Sequence, residues 1–271
     1  MELFLDKNLI LENHCSLEDA KFALLGVPFD STSSYRPGSR FGPLWIRKEL
    51  LELGKPTGFF ECGLFDVGNI EVIHGNCKAT LTNVQEVTDK LLEHEVIPIC
   101  LGGEHSVSYP AIKSLKEKFK ELQVIHFDAH PDLMDDYLGE KWSHATVMRR
   151  VLELDVGLVQ RGMRVYENRE YSGEEDSPEF QKAQPKTGMP TYVSIDIDVL
   201  DPLIAPGTGT PEPGGWSFER LQKELKELYE TQNIVGLDIV EVNPLVDTHN
   251  ISSIMAAKLL IDAVSTITPL R

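Results

Sequence analysis

Apolar residues in this chain gather into short runs separated by longer, mixed stretches. The segments 22–27, 96–101, 122–127, 191–197 and 234–240 are rich in β-branched and aliphatic residues. Each is short and bounded by turn residues, which predicts buried strands. Stretches at about 43–53, 80–95, 107–120, 218–230 and 250–265 read as helices, with a shorter one from about 145 to 154. Strands that alternate with helices pair in parallel, with helices on both faces of the sheet. The expected fold is therefore α/β: one three-layer α/β/α domain over residues 1–271 around a mostly parallel sheet, without linker or repeat.

Three of these runs end in dense groups of ionisable residues. They are Gly102-Gly103-Glu104-His105-Ser106, then His126-Phe127-Asp128-Ala129-His130-Pro131-Asp132, then Ser194-Ile195-Asp196-Ile197-Asp198-Val199-Leu200-Asp201-Pro202. Open α/β sheets bind ligands just beyond the carboxyl ends of their strands. In extended backbone side chains repeat every two residues, so Asp128, His130 and Asp132 are expected to share a face, as are Asp196 and Asp198.

A lone Asp after a strand is usually a turn former or helix cap, and Asp30, Asp66 and Asp201 are left as such. The whole set resists that explanation, because carboxylates gathered at buried strand ends would be desolvated and mutually repelling without a cation. Asp128, Asp132, Asp196 and Asp198 bring four negative charges, which two divalent cations neutralise, while His105 and His130 bind as neutral imidazoles. Mixed nitrogen and oxygen donors suit Mn, Fe, Co or Zn. Cys15, Cys62, Cys77 and Cys100 lie apart from the motifs, which argues against a structural zinc site. His126 is either a hydrogen-bond partner behind the ligands or simply a buried histidine, and the first is preferred.

Composition narrows the function. A formal charge of −17 disfavours nucleic acid and anionic membranes and favours a cationic substrate. No run approaches the ~20 apolar residues of a membrane span, and four scattered cysteines fit a reducing compartment, so the expected location is the cytoplasm. Gly207-Thr208-Gly209-Thr210 is not a dinucleotide loop, since Pro206, Pro211 and Pro213 bar the helix that must follow it. The sequon at Asn250 is expected to go unused, and Ser106 has no partnered base in view.

Further segments complete a recognisable set: 35–43 (Tyr-Arg-Pro-Gly-Ser-Arg-Phe-Gly-Pro), 143–146 (Ser-His-Ala-Thr), 206–215 and 238–244 (Asp-Ile-Val-Glu-Val-Asn-Pro). With the ligand segments, in this order, they resemble the ureohydrolase superfamily of arginases, agmatinases and relatives over nearly the whole chain. The resemblance implies an arginase-like fold, a pair of Mn2+ ions, a trimer or hexamer, and hydrolysis of a guanidinium group. The stretch 133–142 is acidic and has no Arg to clamp a carboxylate, so the resemblance is greater to agmatinase than to arginase. Asp135, Asp136 or Glu140 is the candidate to face a terminal ammonium. Glu104 departs from the Asp found before the ligand His in many relatives, a change expected to matter little.

Guanidinium hydrolysis needs a stronger nucleophile than neutral water, and two cations sharing one water lower its pKa. By the resemblance, Asp128 hydrogen-bonds the attacking oxygen, His144 delivers a proton to the departing amine, and Glu241 pairs with the guanidinium. The expected reaction is agmatine to putrescine and urea. N1-aminopropylagmatine, 4-guanidinobutyrate or arginine are alternative substrates. A catalytically silent relative is the contrasting possibility, and retention of His105, Asp128, His130, Asp132, Asp196, Asp198, His144 and Glu241 speaks against it.

Overall fold

The computed structural model describes residues 5–6, 11–55, 59–164 and 183–268. Its strands are β1 (Leu5–Asp6), β2 (Phe22–Val27), β3 (Leu64–Ile70), β4 (Ile97–Gly102), β5 (Gln123–Phe127), β6 (Gly157–Arg161), β7 (Pro190–Asp196) and β8 (Asn233–Val240). They form one sheet in the order β1-β3-β2-β4-β8-β7-β5-β6. The two-residue β1 pairs antiparallel with β3, and all other pairs are parallel.

Every residue of β2, β4 and β5 is buried, as it must be when both faces of a parallel sheet are covered. The cover consists of α1 (Gly42–Leu53), α2 (Cys77–Glu93), α3 (Ser108–Lys118), α4 (Val147–Leu152), α5 (Phe218–Thr231) and α6 (Ile251–Thr266). One core holds Ile46 and Leu50 of α1, Leu221 and Leu225 of α5 and Leu260 of α6 against the sheet. The other holds Val84 and Val87 of α2, Ile112 and Leu115 of α3 and Met148 and Val151 of α4. Among the described residues three helices pack on each face, which gives the three layers expected.

The helices obey local rules. Asn76 caps α2 by accepting the Ala79 N–H at 3.0 Å, and Ser217 caps α5 by accepting from Arg220 at 3.2 Å. Leu221, Leu225 and Tyr229 repeat every four residues along α5 and form its buried stripe.

Strands β1, β3 and β6 are additions to the sequence reading. In β3 the apolar run is broken by Asp66, Gly68 and Asn69. Asp66 is not a cap there: it lies inside the strand and takes a bidentate pair from buried Arg47 of α1, at 2.8 and 2.9 Å. β6 is a five-residue edge strand and carries a weak apolar signal.

Candidate metal centre

Strands β4, β8, β7 and β5 are neighbours, and their carboxyl ends open on one side of the sheet. His105 lies just beyond β4, Asp128 just beyond β5, Asp196 at the end of β7 and Glu241 just beyond β8. After β4 the chain presses against the segment that follows β2. A β-carbon at Gly103 would lie 1.8 Å from the Phe29 carbonyl oxygen, so only glycine permits this approach. His105 then starts a short 3-10 turn.

Two groups form there. His105 Nδ1 lies 3.0 Å from Asp128 Oδ2, 3.2 Å from Asp132 Oδ2 and 3.4 Å from Asp196 Oδ2. His130 Nδ1 lies 2.9 Å from Asp198 Oδ2 and 3.4 Å from Asp128 Oδ1. Asp128 thus belongs to both groups through different oxygens. The motifs do not keep their side chains on one face as alternation predicted. Asp132 adopts a φ of 52°, Asp198 sits in a 3-10 turn, and the motifs at 126–132 and 194–202 each divide their residues between the two groups.

The arrangement behind His105 sets its tautomer. Ser194 Oγ donates to Asp238 Oδ1 at 2.8 Å, so it accepts from His105 Nε2–H at 2.9 Å. That leaves Nδ1 fully buried, aimed at three carboxylate oxygens and without a hydrogen bond. A buried donor atom facing three anionic oxygens is the environment a cation fills, and the nitrogen and oxygen set fits a transition metal. His105, His126, Asp128 and Asp132 place donor atoms within 4.8 Å of one another, as do Asp128, His130 and Asp198.

His126 Nε2 lies 2.9 Å from Asp128 Oδ2, and its Nδ1 is 3.1 Å from the Gln160 amide. It buttresses Asp128, in line with the sequence preference.

Electrostatics agree. Burial, then Asp198 and Asp128, drives the Asp196 carboxyl well above its ordinary value, and burial followed by Asp128 raises Asp198. Burial works against a charged His130, yet Asp198 and Asp128 push its imidazole up to about 12. Burial opposes a charged Asp128, yet His126, His105 and His130 hold its carboxyl well below the ordinary value, so the groups around it gather protons while Asp128 stays ionised.

Glu241 is buried at the end of β8 with φ 61°, a left-handed backbone unusual for this residue type. Its Oε1 accepts the His105 backbone N–H at 2.9 Å. Burial, then Glu104, pushes its carboxyl well above the ordinary range. His144 opens a 3-10 turn before α4, with Nδ1 3.3 Å from Thr32 Oγ1 and 3.2 Å from Ser143 Oγ, and Nε2 3.3 Å from Ser34 Oγ. Burial lowers its pKa.

The acidic loop is partly spoken for. Asp135 accepts from Arg150 at 2.8 Å and Asp136 from the Gly139 N–H at 3.2 Å, while Glu140 stays exposed. Asp201 is the turn former expected, accepting from the Leu203, Gly214 and Gly215 N–H groups. Sequence reasoning did not single out Thr32, Gln160 or Ser194. Ser194 had a signal, lying two residues before Asp196 on the same strand.

The Arginase family model matches residues 20–265. Agmatinase of Bacillus cereus is 37% identical over 269 residues, covering 92% of this chain and 93% of that protein. The N(1)-aminopropylagmatine ureohydrolase of Thermococcus kodakarensis is 38% identical over 247 residues, 83% of each. Among solved structures, the agmatine ureohydrolase of Thermoplasma volcanium superposes with a TM-score of 0.79 at 31% identity, covering 94% of this chain and 92% of that one. The chain belongs to the arginase family and is an amidinohydrolase.

Proposed function

We propose that the protein hydrolyses the guanidinium group of agmatine to putrescine and urea at a pair of Mn2+ ions. The observation that carries this reading is the sharing of Asp128 between two His and Asp groups at adjacent strand ends, in a chain of this family. His105, Asp128, Asp132 and Asp196 would hold one ion, and His130, Asp128 and Asp198 the other. When bound, the pair would supply Lewis acidity and a water-derived nucleophile at neutral pH.

The chain's own groups complete the reaction. Glu241 presents a buried carboxylate suited to a planar guanidinium and orients it over the centre. Asp128 keeps the attacking oxygen in register with the guanidino carbon. His144 hands a proton to the departing amine nitrogen, and its lowered pKa keeps that transfer easy near neutrality.

Agmatine is favoured over arginine because loop 133–142 has no arginine to clamp a carboxylate and keeps exposed Glu140 for a distal ammonium. The test is urea release by Mn-loaded protein on agmatine, N1-aminopropylagmatine, arginine and 4-guanidinobutyrate, with formamide followed on formiminoglutamate. A preference for agmatine or its aminopropyl derivative supports the reading. A preference for a carboxylated substrate overturns the specificity argument, and no turnover at all favours a silent relative.

A further inference from the structure

Glu104 precedes His105 and is completely buried, and its carboxylate is held by groups outside the metal-ligating candidates. Its Oε2 accepts the Thr32 backbone N–H at 2.6 Å. Its Oε1 accepts the Ser106 hydroxyl at 2.6 Å and also the Thr32 hydroxyl. Three donors converge on one carboxylate, two of them from a single residue in the loop after β2.

In its ionised form Glu104, whose carboxyl pKa burial raises to about 7, accepts the one hydroxyl proton of Thr32. The Thr32 oxygen is then left with two lone pairs, and both face His144. One accepts the His144 backbone N–H at 3.1 Å, and the other lies 3.3 Å from His144 Nδ1. A hydroxyl oriented this way can only accept, and Ser143 Oγ, 3.2 Å from the same nitrogen, is able to accept as well, so Thr32 biases the ring toward a proton on Nδ1. Nε2 is thereby freed to take and release the proton used in chemistry, with Ser34 Oγ at 3.3 Å.

We propose that Glu104 and Thr32 form a positioning relay that sets the tautomer and orientation of His144. The relay rests on the reading of His144 as the proton donor. It also gives Glu104 a task that its place outside the ligand set conceals. Carboxylates that orient a working histidine through its far nitrogen recur in enzyme sites. Here the carboxylate acts through one interposed hydroxyl.

In the Mn-loaded protein, steady-state urea release by three variant groups separates the possibilities. His144→Asn is expected to lower kcat at least ~100-fold. Wild-type kcat in that variant overturns the donor reading itself. Thr32→Val removes the hydroxyl from a half-buried residue at nearly constant shape, and is expected to lower kcat roughly 10- to 100-fold with KM and bound metal unchanged. Thr32→Ser restores the hydroxyl and is expected to restore kcat.

Glu104→Gln replaces an acceptor oxygen by an N–H donor. With its oxygen kept on the Thr32 backbone N–H, the amide N–H faces Thr32 Oγ1, which then turns its own proton toward His144 and favours the other tautomer. Its kcat loss should match that of Thr32→Val, Glu104→Asp should recover most of it, and the double variant should be no worse than either single. Wild-type kcat in Thr32→Val alongside a dead His144→Asn overturns the relay while leaving the donor in place. Multiplying losses in the double variant overturn it equally, because two residues acting through one path cannot be lost twice.

Discussion

The backbone N–H of His105 donates to Glu241 Oε1 at 2.9 Å across 136 residues of sequence, so the guanidinium-binding candidate is anchored to the metal-binding candidate. Glutamine at position 241 can still accept that N–H but carries no charge. Glu241→Gln should therefore keep its metal while KM for agmatine rises about 10- to 100-fold, the range of a hydrogen bond to a charged group at 1.5–3 kcal/mol. Metal analysis beside steady-state kinetics checks this, and an unchanged KM would exclude the pairing.

Asp128 is the residue both groups depend on. Asparagine there keeps one acceptor oxygen and turns the other position into a donor that faces a cation. Asp128→Asn should lose both ions rather than one, with an affinity loss beyond the ~10–100-fold of an outer hydrogen-bond partner. Calorimetric titration with Mn2+ would show it. Two ions held at wild-type affinity would mean that Asp128 is not shared.

Metal loading should stabilise the fold. At 100 times Kd a ligand adds about 2.7 kcal/mol, which for a chain of this size raises Tm by at least about 5 °C. Thermal unfolding with Mn2+ and with chelator measures the difference. Equal Tm values would contradict convergence of the carboxylates on cations.

That difference should widen as pH rises. The raised His130 and Asp196 pKa values mean that protons stabilise the metal-free fold. For His130 this support is complete below the unfolded value near 6.5 and is lost as pH climbs toward about 12. The gap between metal-loaded and chelated protein should thus be larger at about pH 8.5 than at about pH 6. A gap that narrowed over that interval would reverse the assigned sign.

The acidic loop makes a finer prediction. Asp135 is held by Arg150, so Asp135→Asn should leave KM for agmatine within about twofold. Glu140→Gln should raise it for substrates with a distal ammonium and leave 4-guanidinobutyrate unaffected. Equal effects on both substrates would remove Glu140 from recognition.

What the sequence made legible was chemistry at the ends of strong strands. The runs leading to His105, Asp128 and Asp196 are continuous and apolar, so their ends could be placed and the ionisable residues beyond them grouped. Strand β3 escaped because Asp66 and Asn69 interrupt its pattern, and their burial depends on Arg47, a partner in a different element. The division of Asp196 from Asp198 escaped because a 3-10 turn replaces extended backbone after Asp196. Glu104 was expected to matter little, and its partner Thr32 is 72 residues away. Such side-chain networks leave no periodicity in a sequence.

The strand order has a consequence for how the chain is made. Among the described residues β8 is the last strand in sequence, yet it lies in the middle, between β4 and β7. Until it emerges from the ribosome, the two halves of the sheet have no strand to join them, and both inner edges stay open to wrong partners. Glu241 arrives at the end of that same strand, so the act that closes the sheet also brings the carboxylate proposed to bind the guanidinium to the proposed metal ligands. A nascent chain lacking β8 is neither a smaller enzyme nor a weaker one, but two unpaired edges in need of a chaperone.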